Sequence, residues 1–122
     1  MIVRLSHISL YSNSLRKVKK FYCEFLNLKV SHYFKNSKNE EYGLFLNTNK
    51  DTFIEFFLSK KRRKKGSVYN HLCFSVKNIV QVRKKLIKNK VDCSSLKLGK
   101  SDKVLQFTCK DLENNIIEFH QL

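Results

Sequence analysis

The stretch VRLSHISLY, residues 3–11, places Leu5, His7, Ser9 and Tyr11 on one side and Ile8 and Leu10 on the other. Such alternation marks a β-strand with one face against a core. A second stretch, YNHLCFSV at residues 69–76, carries a histidine in the same place, 64 positions on from His7 at His71. At that offset Ile8 meets Leu72, Leu10 meets Phe74, Leu15 meets Ile79, Val18 meets Val82 and Tyr22 meets Leu86. The chain therefore reads as one unit used twice.

Within the first unit, Asn13 or Ser14 is placed to cap a helix whose apolar residues, Leu15, Val18, Phe21, Tyr22 and Phe25, recur at three-to-four spacing through Leu26. Strands follow at about 28–35, at 41–47 after the polar turn KNSKNEE, and at 52–58. The second unit repeats the order with a helix at about 79–89 and strands near 91–96, 103–109 and 115–120. The expected fold is α+β: two tandem βαβββ modules forming a curved mixed sheet around a metal-binding concavity. The predicted domain spans 1–122, with module one at about 1–59, a basic loop at 60–67 and module two at about 68–122.

Composition supports a single globular domain, since 42% hydrophobic residues with ten Phe and five Tyr suffice for a core. No apolar run is long enough to span a membrane, and MIVRLSHISL lacks the pattern of a secretory leader, so a soluble cytoplasmic protein is expected. Cys23, Cys73, Cys93 and Cys109 have no zinc-ribbon spacing and read as buried thiols. The net charge is +15, and KKRRKK at 60–65 reads as an exposed loop between the fourth and fifth strands. Because other lysines (Lys17, Lys29, Lys50, Lys77, Lys90, Lys110) are scattered, the charge suits capture of a small anionic molecule better than reading of nucleic acid.

Two apolar strands each enclose one carboxylate: Glu55 in FIEFF, residues 53–57, and Glu118 in IIEFH, residues 116–120. A buried ionised carboxylate calls for a cation, a proton or a metal. Alternation sets Glu55 with Phe53 and Phe57, Glu118 with Ile116 and His120, and His71 with Cys73 and Ser75, on faces turned away from the helices. A single His or Glu in such a place is commonly just a hydrogen-bonded residue. Two of each at repeated positions make an N2O2 set suited to Zn, Ni, Fe, Mn or Co.

HISLYSNSLRKVKKFYCEFLNLKV, NHLCFSVKNI and DLENNIIEFHQ resemble the N-terminal, central and C-terminal signatures of the vicinal oxygen chelate superfamily, the group of glyoxalases, bleomycin resistance proteins and extradiol dioxygenases. The resemblance, nearest to small glyoxalase I-like bacterial proteins, implies one divalent metal, Zn or Ni before Fe, Mn or Co, held by His7, Glu55, His71 and Glu118. It implies a lyase or isomerase that passes through an enediolate, with Glu118 or Glu55 as the catalytic base, and a homodimer. The glutathione-using enzymes carry Arg four residues after the first His and Asn four after the first Glu. Tyr11 and Ser59 stand there, which argues against glutathione. The family's Asp-Pro-Asp-Gly turn before the last strand is here KDLENN. Two rival readings are an Fe(II) ring-cleaving dioxygenase using His7, His71 and Glu118, and a small-molecule binding protein without turnover.

Overall fold

Residues 1–59 and 70–122 are described by a computed structural model of the chain. They divide into two compact units, Met1–Arg62 and Arg63–Leu122. The expected loop at 60–67, with its KKRRKK run, lies outside the described residues.

In the first unit β1 (His7–Ser12) runs parallel to β4 (Thr52–Leu58), which is antiparallel to β3 (Glu41–Asn49), itself antiparallel to β2 (Lys29–Lys35). The order is β1-β4-β3-β2. β1 starts later than alternation suggested, because β4 offers its first Cα partner, Phe53, only at His7. Arg4, ahead of that ladder, instead pairs with Asp51 at 3.4 Å.

Ser14 is the helix cap, its hydroxyl accepting the Lys17 amide at 3.3 Å. The helix opens as α1 (Leu15–Val18) and widens into a π-helical segment, Lys19–Phe25. A bond from the Leu26 amide to the Phe21 carbonyl, 3.1 Å long, closes the wider turn. Phe21, Tyr22 and Phe25 are buried by it, with Tyr22 against Phe56 at 5.1 Å between centroids. Leu44, Leu46, Ile54 and Phe56 supply the sheet side of this core.

The second unit repeats the plan: β5 (Leu72–Val76), α2 (Ile79–Lys88), β6 (Lys97–Leu98), β7 (Leu105–Lys110) and β8 (Ile116–Gln121), in the order β5-β8-β7-β6. Its core joins Ile79, Leu86 and Val91 to Leu72, Phe107, Ile117 and Phe119. Asn78 caps α2 through the Gln81 amide at 3.0 Å, and Gln121 Oε1 accepts the Ile79 amide at 3.0 Å, tying the helix start to β8.

β6 departs from expectation. A strand at 91–96 was predicted, but ladder pairing is limited to Lys97–Leu98 and a bridge between Cys93 and Cys109. Ser94 explains the gap: its carbonyl accepts from Arg83 Nε at 2.8 Å, and its hydroxyl, in place of that carbonyl, accepts the Thr108 amide at 2.9 Å. All four cysteines are free thiols, yet Cys109 alone is buried, while Cys73 is exposed. Burial, then Cys93 and Asp111, pushes the Cys109 thiol up to about 12.

The KDLENN turn works without proline or glycine. Asp111 Oδ1 accepts the Glu113 and Asn115 amides at 2.9 Å each, Oδ2 accepts from Asn115 Nδ2 at 2.7 Å, and Asn114 takes a positive φ of 66°.

The offset found in sequence survives as ladder register. Ser9 is opposite Glu55 and Cys73 opposite Glu118, so each histidine sits two residues before its glutamate's partner. The fold is the expected pair of βαβββ modules, built on two four-stranded mixed sheets.

Candidate metal centre

In the first module His7 and Glu55 share the sheet face turned from α1, with Ser9 beside Glu55 on one side and Phe45 on the other. The face is otherwise aromatic. Phe45 stacks on Phe53 at 4.6 Å and meets His7 at 5.5 Å; His32 lies 5.0 Å from Phe45, and Phe34 lies 5.1 Å from Phe57. Gly43 makes room for these rings. A Cβ there would stand 2.7 Å from the Phe56 carbonyl oxygen, 2.9 Å from the Phe57 ring and 3.0 Å from the Phe34 ring. Among the described residues no hydrogen bond or ion pair joins His7 to Glu55.

In the second module the same two positions are brought together. His71 Nε2 lies 2.8 Å from Glu118 Oε2, and His120 Nε2 lies 2.8 Å from Glu118 Oε1. Each carboxylate oxygen therefore has its own imidazole, and the Glu118 side chain is only 14% exposed. The other ring nitrogen of His71, Nδ1, is 2.7 Å from Asn70 Oδ1. Glu118 Oε2 accepts from Nε2 while Asn70 Oδ1 holds Nδ1 from behind, and a divalent ion taken up at Nε2 would replace the proton there. This is how an outer partner orients a metal-binding histidine.

Cys73, the Cα partner of Glu118, adds a third donor type: its Sγ, a Glu118 oxygen and a His120 ring nitrogen all lie within 4.8 Å of one another. Partial burial first, then the charges of Glu118 and Asp102, raise the Cys73 thiol above its ordinary value. Two imidazoles on one carboxylate, with one ring fixed from behind, fit a divalent first-row ion.

His71 and Glu118 thus meet as their spacing suggested, and His7 and Glu55 lie on one face of their own sheet. His120 is a donor that the repeated His and Glu positions do not point to. Its signal was present in IIEFH, where alternation sets it beside Glu118. Cys73 is exposed, not the buried thiol that cysteine spacing suggests, and the alternation His71, Cys73, Ser75 sets it on the open face.

Comparison with known proteins fixes the class. The model of the Glyoxalase/Bleomycin resistance protein/Dioxygenase superfamily matches residues 4–119, and the chain belongs to that superfamily. No curated protein sequence matches it. Among solved structures, a glyoxalase family protein from Enterococcus faecalis superposes with a TM-score of 0.80 at 21% identity, covering 97% of both chains. An antibiotic binding protein from a Streptomyces species gives 0.79 at 17%, covering 98% of this chain and 96% of that one. The genomically encoded fosfomycin resistance protein of Listeria monocytogenes gives 0.77 at 18%, covering 100% and 95%. A variant of the Listeria protein was solved with Mn(II) and a dihydroxypropylphosphonic acid. At these identities the likeness shows the fold alone. Among the described residues no helix is long and apolar enough to cross a membrane.

Proposed function

We propose that the protein is a metal-dependent lyase or isomerase of glyoxalase type, acting on a small, anionic substrate with vicinal oxygens. One observation carries the reading: Glu118 presents a separate oxygen to each of two imidazole nitrogens at 2.8 Å. His71 and Glu118 would hold one divalent ion, Zn or Ni in preference to Fe, Mn or Co, with His7 and Glu55 as the ligands that the superfamily pattern draws from the other module. Bound there, the ion supplies Lewis acidity toward two neighbouring substrate oxygens. Asn70 keeps the His71 ring in place. Glu118 or Glu55 takes a proton from a substrate carbon and returns it to the adjacent one. The exposed Tyr11 and the half-buried Ser59, in place of the Arg and Asn of glutathione-using enzymes, favour a substrate other than a glutathione adduct. The net charge of +15 and the phosphonate in the Listeria relative both suit an anion. A cytoplasmic homodimer is the assembly we expect; light scattering of the metal-loaded protein giving a 14.5 kDa particle would exclude the dimer.

Two other readings have support of their own. Two histidines and one carboxylate also make the facial triad of Fe(II) oxygenases, so a ring-cleaving dioxygenase is the second. The likeness to an antibiotic binding protein favours a third, binding without turnover. Elemental analysis of the purified protein, with assays for solvent proton exchange into α-hydroxycarbonyl compounds and for O2 consumption on catechols, separates them. Zn or Ni with proton exchange supports the first reading. Iron with O2 uptake supports the second, and tight ligand binding without product the third.

A further inference from the structure

The two oxygens of Glu118 face different neighbours, and the Oε1 side carries a donor set of its own. His120 Nε2 is 2.8 Å from Oε1, and Cys73, opposite Glu118 in the β5–β8 ladder, completes a triangle whose members all lie within 4.8 Å. We propose that Cys73 Sγ, Glu118 Oε1 and His120 Nε2 form a second metal station, specific for a borderline-soft divalent ion such as Zn(II) or Co(II). It is separate from the His71 side of the same carboxylate. The inference rests on the reading of Glu118 as a metal-binding group.

Three considerations support the station. First, the size is within reach of small side-chain movements: bonds of about 2.1 Å in a tetrahedral site set donors roughly 3.4 Å apart, so His120 draws back by about half an ångström and the Cys73 thiol, within 4.8 Å of both partners, turns inward. Second, an ion pair between His120 and Glu118 makes no use of a thiol, yet the position facing Glu118 across the ladder is a cysteine, the one exposed cysteine of the four. Third, the site is accessible. Cys73 is exposed and the His120 side chain is 27% exposed, which leaves a fourth position open to water or an outside ligand. A sulfur donor selects Zn(II) or Co(II) over Mg(II) and Mn(II). Binding converts the thiol to a metal-bound thiolate and releases its proton to solvent, with no change of oxidation state.

The test is a Co(II) titration of the metal-stripped full chain, followed by absorption. The station should give a near-ultraviolet thiolate-to-cobalt band that is lost in Cys73→Ser. The band-forming affinity should fall on the order of ten-fold or more in His120→Gln, and the band should persist in His7→Ala, whose residue belongs to the other module. Unchanged thermal unfolding of the metal-free Cys73→Ser protein shows that the fold is intact. Visible cobalt absorption that saturates with no thiolate band, or a band that survives Cys73→Ser, overturns the station while leaving the His71 side of Glu118 in place. Failure of the wild-type chain to bind Co(II) at all overturns both.

Discussion

The two modules share a ladder register and differ in what they set around the glutamate. Glu55 has Ser9 and Phe45 as Cα partners across the ladder, and Phe57 two residues on; Glu118 has Cys73 and Thr108, and His120. Phe57 and His120 are equivalent positions, each opposite the residue four past its module's histidine. One ring in place of the other separates a carboxylate on an aromatic face from one held between two imidazoles. The backbone plan thus fixes where the His and Glu stand, and the neighbours decide what they do. The first face offers flat apolar surface together with a buried acceptor, Asn47 Oδ1, that has no hydrogen-bond partner among the described residues. The second face offers charge and a group of side chains that could hold a metal ion.

The largest expected effects test what the modules have in common. Phe56 and Phe119 are equivalent and essentially fully buried, so Phe56→Ala and Phe119→Ala should each cost about 3–5 kcal/mol of unfolding free energy by denaturant titration. Costs differing by more than about 2 kcal/mol would show that the cores are not alike.

Metal affinity tests the difference. Glu118→Ala should lower it on the order of a hundred-fold, whereas Glu55→Ala and His7→Ala should each lower it about ten-fold, measured calorimetrically with Zn(II). Equal losses at Glu55 and Glu118 would make the modules equal partners. Full retention of metal by His7→Ala and Glu118→Ala would refute the centre.

Asn70→Ala removes only the support behind His71, and a loss of roughly ten-fold in affinity is expected, within the range for outer partners of metal-bound histidines. No change would mean that the ring is held by packing alone.

The smallest effect concerns the basic run. Serine at Lys60, Lys61, Arg62, Arg63, Lys64 and Lys65 should leave metal binding unchanged and slow capture of an anionic substrate only at low salt, since screening acts over about 10 Å at 0.1 M. Loss of tight, sequence-selective DNA or RNA binding on that replacement would point to a nucleic-acid reader instead.

Much of this was legible in the chain because strand alternation is local. The period-two pattern of FIEFF and IIEFH placed both glutamates, and the 64-residue offset gave the duplication before any fold was known. What stayed hidden depends on partners distant in sequence. The predicted strand at 91–96 is reduced to one bridge at Cys93, because the Ser94 carbonyl turns to Arg83, eleven residues earlier on a helix, while the Ser94 hydroxyl takes the Thr108 amide. The π-helical turn answers to the burial of three aromatics against a sheet formed later in the chain. His120 and Cys73 were visible as residues of the right face. Their closeness to one another depends on the parallel pairing of β5 with β8, which no local pattern announces.

Gly43 bears on how the two copies could have diverged. Its counterpart is Gln106, since each faces the residue two beyond its module's glutamate, Phe57 in one case and His120 in the other. Exchanging Phe57 for histidine frees one of the three obstacles at Gly43, but the Phe56 carbonyl oxygen at 2.7 Å belongs to the backbone and does not move with any side chain. A side chain at Gly43 therefore asks for a shift of the neighbouring strand as well as of the rings, and the two modules cannot be interconverted here by exchanging facing side chains alone.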